Sequence, residues 1–390
     1  MELSSGMQAS AGPAYPAARK VAETVAAHFA RRAEEARARE SRHVLAHAPD
    51  AAAVEAFVDA GFWASLRREE GYSPKISLAF LPPEQAQPPL KFSHPLPLTP
   101  AALAKLAPAV ERPGIHLGVW RSDGGNLYVW GTTRAIPRLC FVLEVVEPGL
   151  LVVKYRRGRD PGKFVNVVVL KGDEVKVVDE AGANLPDCPE MLTSLLGFGP
   201  AVTAPDSVNV LVQLAVSMRA HGRGGALLVV PAGTERWRES ILWPAPYSVE
   251  PAFPELSELM ARGEAEGDSL AWQESLSRAV EAVAGLTAVD GAALVNSRAE
   301  LLAFGAKIVR REGGARVERV VVTEPVVGSA AETVEPSRLG GTRHLSAAQF
   351  VQDQPDAVAL VASQDGRFTV FAWSPCEGVV HAHRVETLLI

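Results

Sequence analysis

Cysteine is scarce in this chain of 390 residues: there are three, Cys140, Cys188 and Cys376, far apart and odd in number. They form no CxxC pair, so a disulfide framework is not expected, and they fit free or buried thiols in a reducing compartment. Long apolar runs are missing too, since none approaches the ~18–20 residues of a membrane span. Met1–Pro16 is small and polar and lacks the apolar stretch of a secretory signal. These absences lead us to expect a cytoplasmic protein with no membrane partner. Charge of one sign is also wanting, because 39 basic residues against 45 acidic ones leave a net charge of −6. That balance gives no sign of a protein that coats DNA or RNA. The familiar chemical signatures are absent as well: no GxxxxGKS/T phosphate loop, no GxGxxG opening a helix, no GxSxG nucleophile elbow and no HExxH metal motif.

What is present is an ordinary globular composition. Hydrophobic residues make up 47% and charged residues 22%. At very roughly 150 residues per domain the length suggests two or three domains, each with enough core to fold without disulfides or a metal. The 32 glycines and 29 prolines predict many turns and strands of modest length.

Residues 1–15 are rich in Ala, Ser, Gly and Pro and read as a disordered N-terminus. Residues 16–200 read as an α+β N-terminal domain. Its first helix spans 16–41, with a narrow stripe of Val21, Val25 and Phe29 that either docks on the domain or serves a partner helix. A second helix spans 50–67, Lys75–Leu81 reads as a strand, and the proline-rich residues 82–100 read as a linker. From 115 to 178 the pattern is β-rich: six short strands near 117–120, 127–130, 139–146, 150–155, 164–170 and 174–178 predict a mainly antiparallel sheet or small barrel. Residues 180–205 read as a loop at the domain boundary.

The second half changes character. A helix over Val208–Ala220, a buried strand over Ala226–Val230, an irregular stretch over 231–268 and a helix from Asp268 or Ser269 to about Ala284 come first. Strands at Ala292–Val295, Leu301–Ile308 and Val317–Val322 follow, then a short helix from about Ser346. Two strand pairs close the chain: Ala357–Ala362 with Arg367–Trp373, and Gly378–His383 with the C-terminus. Helices alternating with buried strands predict an α/β fold, a mixed sheet flanked by helices.

Three segments of this half carry candidate chemistry. Gly225-Ala226-Leu227 is a glycine turn running into a buried strand. Asp290-Gly291-Ala292 places a carboxylate at a strand start with little backbone in its way, where it suits Mg²⁺ or a hydroxyl proton. Gly341-Thr342-Arg343-His344 precedes a helix and supplies backbone N–H groups, a helix N-terminus and a guanidinium for phosphate. An acidic group beside a phosphate cradle is what a nucleotide site needs. Each piece alone has a plainer use: Asp-Gly as a turn, Arg-His before a helix as a cap or surface ion pair. Arg219, His221 and Arg223 form either a basic rim or a solvated loop, and Trp237 and Trp243 either stack on a base or pack in the core. His381 and His383 share a strand face, an ordinary pair unless a third metal ligand joins them.

Taken together and in order, these segments resemble the diadenylate cyclase domain, the module of DNA-integrity-scanning proteins and related cyclases. That family runs from a G-A-L-I-V-I strand to D-G-A, then G-T-R-H-R-A-A, then a strand ending in V-S-E-E-T-G. The matching residues are Gly225–Val230, Asp290–Ala292, Gly341–His344 with Ala347, and Ala362–Gly366, within roughly residues 205–375. The chain departs at Leu345, where the family has a second arginine, at Val289, where it has a histidine near the metal, and at Gln364-Asp365, where it has a glutamate pair. One missing charge-assisted arginine contact weakens triphosphate binding by ~1.5–3 kcal/mol. The whole chain resembles a divergent branch in which such a domain follows an α+β region and is regarded as a nucleotide sensor. Phe62–Gly71 and Arg219–Gly225 carry that second resemblance.

The resemblance implies that residues 205–390 are a nucleotide-binding domain. Gly225, Ala226, Leu227, Asp290, Gly291, Ala292, Gly341, Thr342, Arg343, His344 and Ser363 would line the site. It also implies an adenine nucleotide or cyclic dinucleotide as ligand and a homo-oligomer as the assembly. The expected function is a nucleotide-binding sensor with weak or no cyclase activity. One alternative is an active diadenylate cyclase that condenses two ATP into cyclic di-AMP and pyrophosphate, with Asp290 as the catalytic residue holding Mg²⁺ or Mn²⁺. The other is an interaction protein that keeps the fold as a relic.

Overall fold

The computed structural model describes residues 14–39, 45–156, 164–179, 206–266 and 269–390. The chain divides into two compact units, Met1–Val178 and Asp179–Ile390. The tail expected over 1–15 falls mostly outside the described residues, as do the boundary loop at 180–205 and Cys188. Tyr15 is described, however, and it is held. Its ring is buried and stacks on Phe62 with centroids 3.7 Å apart, and its hydroxyl donates to the Gly172 carbonyl.

In unit 1 the described residues pack three helices on a sheet. Helix α1 (Pro16–Arg39) opens on a proline, whose missing N–H costs nothing in a first turn. Helix α2 (Ala51–Ser65) is capped by Asp50, whose carboxylate accepts from the Ala53 N–H at 2.9 Å. The stripe of Val21, Val25 and Phe29 on α1 is buried within this unit beside α2 and strand residues such as Phe141. The seam is therefore used internally and is not left for a partner helix.

Eight strands form the sheet: β1 (Ile76–Phe80), β2 (Leu90–Pro97), β3 (His116–Arg121), β4 (Leu127–Thr133), β5 (Phe141–Glu147), β6 (Leu150–Arg156), β7 (Phe164–Lys171) and β8 (Glu174–Val177). All six strands expected between 115 and 178 form. Their order, β2-β4-β3-β1-β5-β6-β7-β8, is that of an open sheet and not a barrel. Only the β1–β3 pairing is parallel. The expected linker at 82–100 is corrected: it contains β2 and leads into α3 (Pro100–Val110), with Thr99 as N-cap and Pro100 in the first turn. Prolines that read as linker punctuation serve there as a helix start.

Unit 2 is built on a nine-stranded mixed sheet: β9 (Gly225–Val230), β10 (Tyr247–Phe253), β11 (Ala292–Asn296), β12 (Leu301–Ala306), β13 (Val320–Thr323), β14 (Glu332–Val334), β15 (Val358–Ala362), β16 (Phe368–Ser374) and β17 (Val379–Arg384). They lie in the order β10-β12-β11-β9-β15-β16-β17-β13-β14. Among the described residues four helices accompany them: α4 (Asp206–Ala220), α5 (Glu255–Glu266), α6 (Leu270–Leu286) and α7 (Thr342–Asp353). The central strands show why they read as unbroken apolar runs. Leu227, Val229, Ala293, Val295, Leu360 and Ala362 face the layer of α4, α5 and α6. Ala226, Leu228, Ala292, Leu294, Ala359 and Val361 face the layer of α7.

The mixed α/β architecture is thus the expected one, with two corrections. The stretch 231–268 that read as irregular holds β10 and α5, and the C-terminus turns as a short 3-10 segment (Glu386–Leu388) where a strand was expected. Instead β17 pairs with β16 on one side and, in parallel, with β13 on the other.

Candidate functional site

Three neighbouring strands bring the sequence motifs to one end of the unit 2 sheet. β9 runs parallel to β11, with Leu227 beside Ala293, and antiparallel to β15, with Gly225 beside Ala362. The start of β9, the Asp290-Gly291 turn before β11 and the exit of β15 at Ser363 therefore lie side by side. Glycine is required at two of these points. A Cβ on Gly225 would stand 2.6 Å from Thr287 Oγ1 and 2.7 Å from the Thr287 carbonyl, so β9 begins hard against the end of α6. Gly291 has φ +117°, and its Cβ would lie 2.5 Å from the Gly305 carbonyl carbon.

Arg343 closes the arrangement from the other layer. It sits in the first turn of α7, half-buried, and reaches back toward the sheet end. Measured from where a Gly224 Cβ would stand, its Nη1 is 3.1 Å away, the Ala362 carbonyl 3.3 Å and Gln364 Cγ 3.3 Å. Gly341, the N-cap, has no side chain to cap the helix, and Gly341 and Thr342 are both exposed, while the His344 N–H donates to the Gly341 carbonyl at 3.0 Å. Asp290 is exposed, and its Oδ2 accepts from the Lys307 ammonium at 2.5 Å. That hydrogen bond, the charge of Lys307 and the charge of Arg343 hold the Asp290 carboxyl below the usual range.

Other expected site residues lie elsewhere in the packing. Ala226, Leu227 and Ala292 are buried core residues, so they shape the strands and present no side chain to a ligand. His344 is turned inward: its Nδ1 would meet a Gly340 Cβ at 2.7 Å, and its ring lies edge-on to Phe371 at 6.1 Å. Burial and then the cations Arg384, Arg367 and Arg343 lower the pKa of this imidazole, against the opposing pull of Asp365. Ser363 is half-buried and anchors the turn after β15, its N–H donating to the Arg367 carbonyl. Leu345, in place of a second arginine, packs against the α7-side core, and Val289 is half-buried in the turn that follows α6.

The rim residues are structural. Arg219 Nε donates to the Gly366 carbonyl at 3.3 Å. His221 accepts from the Arg223 N–H through Nδ1 and faces Thr287 Oγ1 through Nε2, which assigns it the Nε2–H tautomer; burial, followed by Arg223, lowers its pKa. Trp237 is buried with its Nε1 on the Thr234 carbonyl, and Trp243 lies under the Arg238 guanidinium at 4.3 Å. His381 and His383 are buried, with Glu377 and Thr323 as their partners. Lys307 is the site residue that sequence reading missed; the signal for it was a single lysine ending an otherwise apolar strand.

The donor set does not suit a divalent cation. Asp290 is the carboxylate at the strand start, and its oxygen already carries an ammonium. Among the described residues no cluster of three or more His, Cys, Asp and Glu side chains is placed to hold a metal ion. No described helix is long and apolar enough to cross a membrane.

A family model described as "Probable sensor domain DACNV" matches residues 43–134, which lie in unit 1 and run from before α2 to just past β4. No curated protein matches the chain. Among solved structures, one described as "the hypothetical membrane spanning protein from Bacillus cereus" aligns over 50% of this chain and 70% of its own at 14% identity. Its TM-score is 0.28, too low to argue a shared fold.

Proposed function

We propose that the chain is a sensor whose unit 2 binds an adenine nucleotide or cyclic dinucleotide at the Gly224–Asp290–Arg343 end of the sheet. One observation carries this reading. Segments far apart in sequence, Gly224-Gly225, Asp290-Gly291, Arg343 and Ser363-Gln364, meet at a single sheet end. Two cations and a helix N-terminus without a side-chain cap are the chemistry a phosphate chain requires. The description of residues 43–134 as a sensor domain supports a signalling role for the whole. Association of two copies belongs to the same reading, and light scattering with and without ligand tests it.

Titration calorimetry with ATP and with cyclic di-AMP, on the full chain and on Arg343→Ala, decides the binding claim. Binding by the full chain that weakens in the variant is the expected result, whereas no heat and no thermal shift with any adenine nucleotide would overturn it. Chromatography after incubation with ATP and Mn²⁺ tests for turnover. Cyclic di-AMP produced by the wild type and lost in Asp290→Asn would replace the sensor reading with an active cyclase.

A further inference from the structure

We propose that Lys307 is the resident cation of this site: its ammonium takes the Asp290 carboxylate that a metal ion would otherwise use, so that an anionic ligand binds unit 2 without a divalent counter-ion. The inference rests on the reading of this sheet end as a nucleotide site.

The position of Lys307 is set by the backbone and not by its own flexible side chain. β12 pairs antiparallel with β11, Ala306 lying beside Ala292, so the next residue is delivered to the Asp290-Gly291 turn. The Lys307 carbonyl then accepts from the Leu242 N–H at 2.7 Å, which ties the strand exit down on its far side. From there the Nζ lies 2.5 Å from Asp290 Oδ2, and Arg343 adds a second positive charge to the field at that carboxylate. Two cations thus face one carboxylate.

The consequences for the two kinds of ion are opposite. A divalent cation arriving at Asp290 meets the ammonium on Oδ2 and the charge of Arg343 nearby, and Coulomb repulsion disfavours it there. A polyphosphate meets an excess of positive charge, with the amides at the start of α7 beside it. A lysine in this place does for the ligand's charge what a bound metal does elsewhere. It offers no open coordination position, however, for polarising a bond or activating a hydroxyl. A site so equipped is suited to holding a nucleotide and poorly equipped to convert one.

The test compares wild type with Lys307→Met, which keeps the aliphatic stem and removes the charge; Lys307→Gln serves as a second variant should the methionine perturb folding. Free protein is titrated with Mn²⁺ and followed by electron paramagnetic resonance. Wild type is expected to bind no Mn²⁺ at Asp290, and Lys307→Met to gain a site that Lys307→Met/Asp290→Asn loses. ATP binding is then measured by calorimetry in EDTA and in Mg²⁺. Wild-type affinity is expected to agree within about twofold between the two, with Lys307→Met at least tenfold weaker in EDTA and partly restored by Mg²⁺. The inference is overturned by wild-type ATP binding that is tenfold weaker in EDTA, by Mn²⁺ binding to wild type that Asp290→Asn abolishes, or by charge-removed variants that gain no Mn²⁺ site. Wild type that binds no nucleotide under either condition removes the nucleotide reading, and the Mn²⁺ comparison alone then decides the role of Lys307.

Discussion

At Gly225 one methyl group has nowhere to go. Thr287 stands where a Cβ would be, and the strand cannot retreat because β11 and β15 hold it on both sides. Gly225→Ala is expected to cost about 1–3 kcal/mol by overpacking. Gly291→Ala adds a disfavoured left-handed φ to its clash and is expected to cost about 2 kcal/mol or more. Denaturant midpoints of the purified variants measure both. Arg343 acts differently, through its charge and its fork of donors: Arg343→Ala is expected to leave the midpoint nearly unchanged and to weaken adenine-nucleotide binding by about 1.5–3 kcal/mol, at least tenfold in calorimetry. Arg343→Lys should recover only part of that, since a single ammonium cannot grip two phosphate oxygens at once. Asp290 and Arg343 were legible in the sequence because glycines flank them in a recognisable order. Lys307 was not, because a lysine at a strand end has the same local pattern whether it meets solvent or a carboxylate. The inward turn of His344 was not legible for a related reason: its place in the sequence says nothing of which way the ring turns, and the space beside Gly340 settles that.

Among the elements, the legible ones are those with a buried side. The run Gly225–Val230 is apolar throughout because both faces are covered, and the six strands of residues 115–178 announce themselves through turns such as Pro148-Gly149 and Gly172. The strands missed, β2, β10 and β14, are sheet edges exposed along nearly their whole length, so no alternation marks them. Pro95 and Pro251 lie inside β2 and β10 and break the ladder, which reads as linker in a sequence and protects an edge in a fold. Helix α3 was hidden by the same residue type, since Pro100 and Pro108 mask an otherwise good alanine-leucine helix. Helix α1 gives the clearest test at this scale. Phe29 is 1% exposed and packs its ring at 5.3 Å from Phe141. Phe29→Ala is expected to destabilise unit 1 by about 3–5 kcal/mol. Calorimetric unfolding should show that loss in the transition of unit 1 and leave the transition of unit 2 in place.

For the whole molecule, each unit conceals a histidine that must stay neutral. In unit 1, His116 lies against Ser77, and burial, then Lys154 and Arg156, lower its pKa to about 4. In unit 2, burial and then His381 lower that of His383 to about 3. The unfolded chain takes up these protons near pH 6.5. The stability each neutral ring represents is therefore complete above about pH 6.5 and is lost as pH falls toward 4 and 3, on the order of 2 kcal/mol per histidine by pH 5. Urea midpoints at pH 7.5 and pH 5 should fall with acid, and His116→Asn and His383→Asn should each flatten that slope; a wild-type midpoint constant across this range would refute the assignment. The strand order of unit 2 bears on how the chain is made. β9 at residues 225–230 is flanked by β11 at 292–296 and β15 at 358–362. At a ribosomal rate of about 5–20 residues per second, β9 waits on the order of ten seconds for its second neighbour. During that interval a segment apolar on both faces stands uncovered on one side, while Gly224, Asp290 and Arg343 emerge one after another. The proposed nucleotide site is therefore complete only once β15 has emerged. Unit 1, whose residues precede β9, leaves the ribosome before it.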